Sequence, residues 1–232
     1  MAEVQQHIER AGDQIGRAVD AVKPRLRGVS HMYGALVSIP LGAALVIAAP
    51  AGKATLAALI YAVAVTGLLT TSATYHRIDW RRPRARAWMR RLDHSMIFVL
   101  IAGTYTPFSL LVLDGTLATA VLIAVWAGAL GGIVLTLVWT TAPKWLLAVV
   151  YVALGWVAIA AFPAMLDQLG ITAMAMVAAG GALYTAGAVI YATRRPNPSP
   201  TVFGYHEIFH ALVIGAAALQ YAVVAFYVMP NA

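Results

Sequence analysis

Long runs of apolar residues alternate with short polar segments along most of the chain. A helix needs roughly 20 mostly apolar residues to cross a bilayer, and seven runs have that character. The predicted spans are 31–49, 55–75, 93–113, 116–139, 145–166, 171–192 and 207–229. This pattern predicts an all-α membrane protein in which residues 29–232 form one seven-transmembrane helix bundle.

The first part of the chain, residues 1–28, has a different pattern. Between residues 3 and 22, apolar side chains recur at spacings of three and four, which places them on one face of a helix whose other face is charged. The segment 1–28 is therefore predicted to be a cytoplasmic amphipathic helix that lies on the membrane surface. A helix that binds a partner protein is the alternative.

The composition agrees with a membrane protein and supplies an orientation. Only 11% of the residues are charged and the mean hydropathy is +0.78, whereas soluble domains carry about 25% charged residues. Fifteen of the 16 Lys and Arg residues precede the first span or fall in alternate connections, and Lys53 lies on the other side. The positive-inside rule then predicts a cytoplasmic N-terminus and an outside C-terminus. The net charge of +7 is thus a topology signal rather than a sign of nucleic-acid binding, in a multi-pass protein of the inner or plasma membrane.

Ionisable residues are rare in membrane spans and are usually functional, and here they gather at the ends of three predicted spans. His76 ends span two, Asp93 opens span three, and His206 and His210 open span seven. By the predicted topology, all four lie near the cytoplasmic boundary. His206 and His210 are four residues apart, so both imidazoles project from one helix face, which is the spacing at which two histidines can share one zinc ion.

Three neutral imidazoles with one open position make a tetrahedral Zn²⁺ site of the catalytic type. The predicted metal ligands are His76, His206 and His210. Asp93 is either a fourth ligand or the group that holds and deprotonates a water molecule. Ser72 lies one helical turn before His76, on the same face. The same donors are compatible with iron or manganese.

The other ionisable residues near this boundary receive lesser roles. His94 is predicted to pack or to hydrogen-bond near the loop, Glu207 to be a solvated boundary residue, and His31 is assigned no role. The arginine-rich connection 77–91 is most simply an anchor near anionic lipid headgroups, with recognition of such a headgroup as the alternative.

Four segments together resemble the bacterial hemolysin III proteins, which are similar to the progestin and adipoQ receptors, including the adiponectin receptors. The segments are Ser72-Ala-Thr-Tyr-His76, Arg91-Leu-Asp93-His94-Ser95, Ile101-Ala-Gly-Thr-Tyr-Thr-Pro-Phe108 and His206-Glu-Ile-Phe-His210. The resemblance implies a seven-helix bundle with zinc near its cytoplasmic face, held by the three histidines. It also implies that Asp93 lies near a water on the zinc and that Ser72 is the serine of the SxxxH element. Because the wider superfamily includes alkaline ceramidases, it further implies hydrolysis of a lipid amide.

Two functions compete at this point. The first is a zinc-dependent intramembrane hydrolase acting on a lipid amide or ester, in which Asp93 is the general base and Ser72 hydrogen-bonds the water or the developing oxyanion. The second is a non-enzymatic, zinc-containing membrane protein of the hemolysin III type, such as a lipid sensor or a lytic factor. An ion or proton conductor is disfavoured, because no ionisable residue continues the path towards the outer face. Membrane lipids are the expected solvent and candidate substrate, and the sequence indicates no particular protein partner.

Overall fold

The computed structural model describes residues 23–139 and 141–232, and this part of the chain is almost entirely helical. The helices are α1 (Val29–Ala48), α2 (Lys53–Arg77), α3 (Pro83–Leu111), α4 (Gly115–Val138), α5 (Lys144–Gly155), α6 (Ala158–Thr193) and α7 (Tyr205–Val223). Helix α7 continues through a π-helical turn, Val224–Val228, and a short 3-10 turn, Met229–Asn231. These residues form no strand beyond one isolated bridge between Ser199 and Phe203. The amphipathic helix predicted at residues 3–22 lies outside the described residues.

Six helical stretches in the described part are long and apolar enough to cross a membrane. They are α1, α2, α3, α4, the 50-residue stretch Lys144–Thr193 that contains α5 and α6, and α7 with its continuation. Large apolar side chains on these helices, among them Ile47, Val138 and Ile171, are exposed on the outside of the bundle. A surface of this kind is unfavourable in water and suits a lipid solvent.

The stretch Lys144–Thr193 is interrupted twice. At the first break, Tyr105 of α3 donates a hydrogen bond to the Gly155 carbonyl (2.5 Å) and accepts one from the Ala158 N–H (2.6 Å). Unpaired backbone groups are costly where no water reaches them, so the Tyr105 hydroxyl stabilises this break. The second break is at Gly170, whose φ of 77° and ψ of 171° are not helical. It coincides with the predicted turn between spans five and six, whereas the first break was not predicted.

The helices pack in chain order around a closed bundle. Each helix contacts the next, α7 contacts α1, and α3 also contacts α5. Glycines permit close approach in the core, since a Cβ at Gly132 of α4 would lie 2.1 Å from the Phe98 ring of α3. The closure brings the first turns of α7 beside the last turn of α2 and the start of α1.

Helix α3 begins well before the apolar run that predicted it. The predicted span starts at residue 93, whereas the helix starts at Pro83, whose fixed φ suits a first helical turn. Arg84, Arg86 and Arg90 therefore lie on a helix rather than in a loop. The end of the bundle formed by the C-terminus of α2 and the N-termini of α3 and α7 is called the basic end below.

Candidate metal centre

Three histidines converge at the basic end. His76 lies on the last turn of α2, and His206 and His210 lie on the first two turns of α7. Their ring centroids are 4.5, 4.8 and 5.1 Å apart in pairs, and one ligand nitrogen from each lies within 4.8 Å of the others. The Nε2 atoms of His76 and His206 are 3.1 Å apart. All three side chains are buried, and together they could hold a metal ion.

The start of α7 is capped by the Glu207 side chain. The Gly204 N–H donates a hydrogen bond of 2.7 Å to Glu207 Oε2, which satisfies one amide that the helix itself leaves unpaired. The other carboxylate oxygen of Glu207 forms an ion pair with the Arg27 guanidinium. Glu207 is therefore buried and paired, so the prediction of a solvated boundary residue was wrong. The cap sets the first turn, from which His206 and His210 face the interior.

The segment before α1 packs against His76. A Cβ on Gly28 would lie 2.5 Å from the His76 Cβ, and Gly28 has a φ of 77°, a conformation that favours glycine. The backbone N–H groups of residues 25–26 donate to the carbonyls of residues 201–202, at 3.0 and 3.1 Å. This segment therefore contacts α2 directly and is joined to the loop that leads into α7.

Asp93 and Ser72 lie beside the histidines. Asp93 Oδ2 is 3.9 Å from His76 Nε2, which is too far for a direct hydrogen bond, and the Ser72 side chain interacts with the Asp93 carboxyl group. Asp93 and Ser72 line the same cavity as His206 and His210. The five residues that the sequence singled out are thus brought together at one place.

His94 lies next to Asp93 in sequence but is held away from the cluster by its own hydrogen bonds. Its Nδ1 is 2.7 Å from the Arg90 carbonyl and its Nε2 is 2.9 Å from the Tyr191 hydroxyl. A carbonyl only accepts, so Nδ1 carries the hydrogen and, in the neutral ring, the Tyr191 hydroxyl donates to Nε2. Both nitrogens are occupied, in agreement with the predicted hydrogen-bonding role.

A fourth histidine at this site, His31 of α1, was missed by the sequence analysis. Its ring stacks on His210, with centroids 3.7 Å apart and an angle of 12° between the planes, and it is buried. The available signal was an ionisable residue at the start of an apolar run, which is the criterion that selected the other histidines. Its contact with α7 was hidden because the two residues are far apart in sequence.

An apolar cavity of about 200 Å³ begins at the histidines and continues into the bundle. Asp93 and Phe108 both line it, and the helical rise along α3 separates these two residues by roughly 22 Å. Gln220 of α7 also lines the cavity. The cavity is therefore long and narrow, and its histidines and its one carboxylate lie at the end that holds the histidine cluster.

The fold and the site together define a multi-pass, all-α membrane protein with a buried histidine triad at one end of its bundle. The sequence profile of the family described as Haemolysin-III related matches residues 19–221. The chain is 32% identical over 224 residues to Hemolysin-3 of Bacillus cereus, an alignment that covers 95% of this chain and 99% of that protein. It is 34% identical over 202 residues to the Hemolysin-3 homolog of Bacillus subtilis (strain 168), covering 86% and 91% respectively. The chain therefore belongs to the hemolysin III family.

A more distant relative is found in animals. The Monocyte to macrophage differentiation factor of Homo sapiens is 25% identical to this chain over 165 residues, which cover 70% of this chain and 66% of that protein. The resemblance inferred from the SxxxH, Asp and HxxxH segments is confirmed by these matches.

We expect a Gly28→Ala substitution to weaken metal retention, because the added methyl group meets the His76 Cβ and displaces that histidine. The matched control is Gly52→Ala, which has a similarly positive φ of 94° but no neighbour within 4 Å of the new Cβ. Chelator titration of the purified proteins should show metal affinity about tenfold lower in Gly28→Ala than in the control. Equal retention in the two variants would contradict the contact.

Proposed function

We propose that this protein is a zinc-dependent intramembrane hydrolase acting on a lipid amide or ester. The observation that carries the proposal is that a histidine triad, a carboxylate and one end of an apolar cavity meet at the same place. Ionisable groups at membrane depth are costly to bury and are usually retained for function. The combination is that of a metal-assisted hydrolytic site with a space for an apolar ligand.

The donors fit zinc. Zinc binds imidazole nitrogens at about 2.0–2.1 Å in a tetrahedron, which keeps two ligand nitrogens about 3.3 Å apart, and the Nε2 atoms of His76 and His206 are 3.1 Å apart. Nδ1 of His210 is buried with no hydrogen-bond partner in the described part of the chain, so this histidine has a nitrogen that no other contact occupies. These three residues would hold the ion. Bound zinc supplies a Lewis acid, which polarises a carbonyl group and allows a water molecule to lose a proton at a pH of about 7.

Asp93 is the proposed general base. Its carboxyl group takes a proton from the attacking water and returns it to the leaving amine or alcohol. The Ser72 side chain interacts with the Asp93 carboxyl group. In the proposed role, its hydroxyl accepts a hydrogen bond from the water, or turns to donate its one hydrogen to the developing oxyanion. Because Ser72 and Asp93 stand on α2 and α3 rather than on loops, the rigid helices fix their positions before the substrate binds.

The acyl chain of a membrane lipid is the proposed occupant of the apolar cavity. The cavity runs roughly 22 Å along α3 from Asp93, in the direction of Phe108. An extended acyl chain has this narrow shape, and the apolar side chains that line the cavity replace the lipid tails around such a chain without exposing it to water. The bond to be cleaved would then lie at the end where the histidines and Asp93 are found.

We also infer seven spans, with a cytoplasmic N-terminus, in the inner or plasma membrane. A straight helix of 50 residues would be about 75 Å long, more than twice the hydrocarbon thickness of about 30 Å, so Lys144–Thr193 is better divided into two crossings. The non-helical Gly170 is the natural point of division. With this division, the basic connections all fall on the side of the N-terminus.

Cysteine labelling tests this topology, since the chain has no cysteine of its own. An impermeant maleimide applied to intact cells should label Gln168→Cys and should reach Arg194→Cys only after the cells are opened. If Lys144–Thr193 crossed only once, Arg194→Cys would be labelled on intact cells and the seven-span topology would be wrong.

Lipid hydrolysis is tested with the purified protein and a panel of ceramides and phospholipids. We expect product that disappears with a chelator and returns with zinc. Asp93→Asn should keep the metal and reduce turnover by about 10²–10⁴-fold, because a general base contributes an effect of that size. The matched control is Asp114→Asn, the same chemical change at an exposed residue. Asp114 lies between α3 and α4, at the opposite end of α3 from the site.

No metal-dependent product from any lipid in a broad panel would contradict the hydrolase. The second candidate is then a lytic or lipid-sensing protein that holds zinc without catalysis. It is favoured by the name of a relative, Hemolysin-3 of Bacillus cereus, which is 32% identical over 99% of its own length. Release of haemoglobin from erythrocytes by both the wild type and Asp93→Asn, with no lipid product, would support this alternative.

A further inference from the structure

A second, open pocket of about 580 Å³ lies at the basic end, next to the histidine cluster. It falls within the range of about 300–1,000 Å³ that is usual for ligand sites. Its lining contains four cations and three large aromatic residues: Lys23, Arg27, Arg81, Arg86, Tyr75, Trp80 and Tyr205. Asp79 is the one acidic residue among the lining residues of this described pocket, and His76 forms part of its wall.

The positive charges in this pocket are only partly compensated. Arg27 is neutralised by the buried Glu207 carboxylate. Lys23 Nζ is 3.6 Å from Asp79 Oδ1, but the Asp79 side chain is fully exposed, so this ion pair contributes little. Arg81 and Arg86 form no ion pair within the described residues. Among the described residues, the guanidinium groups of Arg81 and Arg86 therefore have no ion-pair partner in the pocket.

The start of α3 adds to this positive potential. Arg81 precedes the helix, and Arg86 lies at the end of its first turn. This turn contains no acidic residue, and no side chain caps the start of the helix. A helix N-terminus carries a partial positive charge and is stabilised by acidic groups, so arginines there repel the helix dipole. An anion bound in the pocket would reverse this unfavourable arrangement and would accept hydrogen bonds from both guanidinium groups.

We propose that this pocket binds a phosphate group, carried by a lipid headgroup or by a soluble phosphate compound. Two guanidinium groups without an ion-pair partner among the described residues, next to a helix N-terminus, suit a ligand with several acceptor oxygens. A phosphate supplies more of them than a carboxylate and pairs with arginine in a bidentate way. The proposal does not depend on the hydrolase function, since it rests on Arg81 and Arg86 and not on the histidines.

A paired substitution separates this pocket from a general basic surface. Arg81→Gln with Arg86→Gln removes the two uncompensated lining arginines. Arg82→Gln with Arg84→Gln removes the same charge from neighbouring exposed residues that do not line the pocket. A non-specific basic surface would lose the same affinity in both double variants. If the phosphate binds in the pocket, only the Arg81/Arg86 double variant should lose affinity.

Two binding measurements distinguish the sources of phosphate. Calorimetry in a neutral detergent follows inorganic phosphate, and native mass spectrometry counts bound phosphatidylglycerol against phosphatidylcholine. We expect the wild type and the Arg82/Arg84 variant to bind one phosphate or one phosphatidylglycerol in a saturable way. In the Arg81/Arg86 variant, we expect the affinity to fall by a factor of about ten or more. Binding only of phosphatidylglycerol assigns the pocket to a headgroup, and binding of inorganic phosphate assigns it to a soluble ligand.

Equal weakening in the two double variants, or no saturable binding of either probe by the wild type, would overturn the proposal. Thermal unfolding in the same detergent checks that each variant is folded. If the Arg81/Arg86 protein does not purify as a folded species, Arg81→Gln alone, compared with Arg82→Gln alone, gives the same test, because Arg81 precedes α3 and is exposed.

Discussion

The ion pair between the partly buried Arg27 and the buried Glu207 is the interaction on which the arrangement of the basic end depends. Arg27 precedes α1 and Glu207 lies in the first turn of α7, so the pair joins the segment before α1 to the last α-helix of the described chain. Glu207 is only 3% exposed. Removing one partner of such a pair typically costs about 3–5 kcal/mol, because the other charge is left buried and unpaired. The same carboxylate caps α7, so one side chain fixes both the start of the helix and its attachment to the segment before α1. His206 and His210 take their positions from that helix.

The histidine cluster lies between two spaces of opposite character. His206 and His210 line the apolar cavity, whereas His76 lines the basic pocket. A lipid has the same division, with an apolar chain and a polar headgroup. In our account, a chain in the cavity brings the bond near its polar end to Asp93, and the arginines of the basic pocket provide a separate site for phosphate.

Much of this site could be predicted because its strongest signals are local or compositional. The apolar runs predicted the helices, and the two i,i+4 pairs, Ser72 with His76 and His206 with His210, predicted which side chains share a face. What the sequence could not supply was contact between distant segments. The ion pair of Glu207 and the stacking of His31 on His210 both depend on how α1 meets α7. A periodic pattern within one helix carries no information about that meeting.

The predicted helix boundaries were wrong where a polar segment is helical and where an apolar segment is not. The first turns of α3 are rich in arginine, so hydropathy placed the start of this element at residue 93 rather than at Pro83. The break after Gly155 lies inside an apolar run, and it is stabilised by the Tyr105 hydroxyl from another helix. In each case, a property other than average hydropathy decided the backbone conformation.

Anomalous X-ray scattering at the zinc edge, from crystals of the protein purified without chelator, shows whether the three histidines hold zinc. Our account predicts one anomalous peak for each chain, within about 2.0–2.1 Å of a ring nitrogen of His76, His206 and His210. It also predicts that the peak disappears in the His206→Ala, His210→Ala double variant. A zinc peak away from these histidines, or full zinc occupancy in the double variant, would contradict the account.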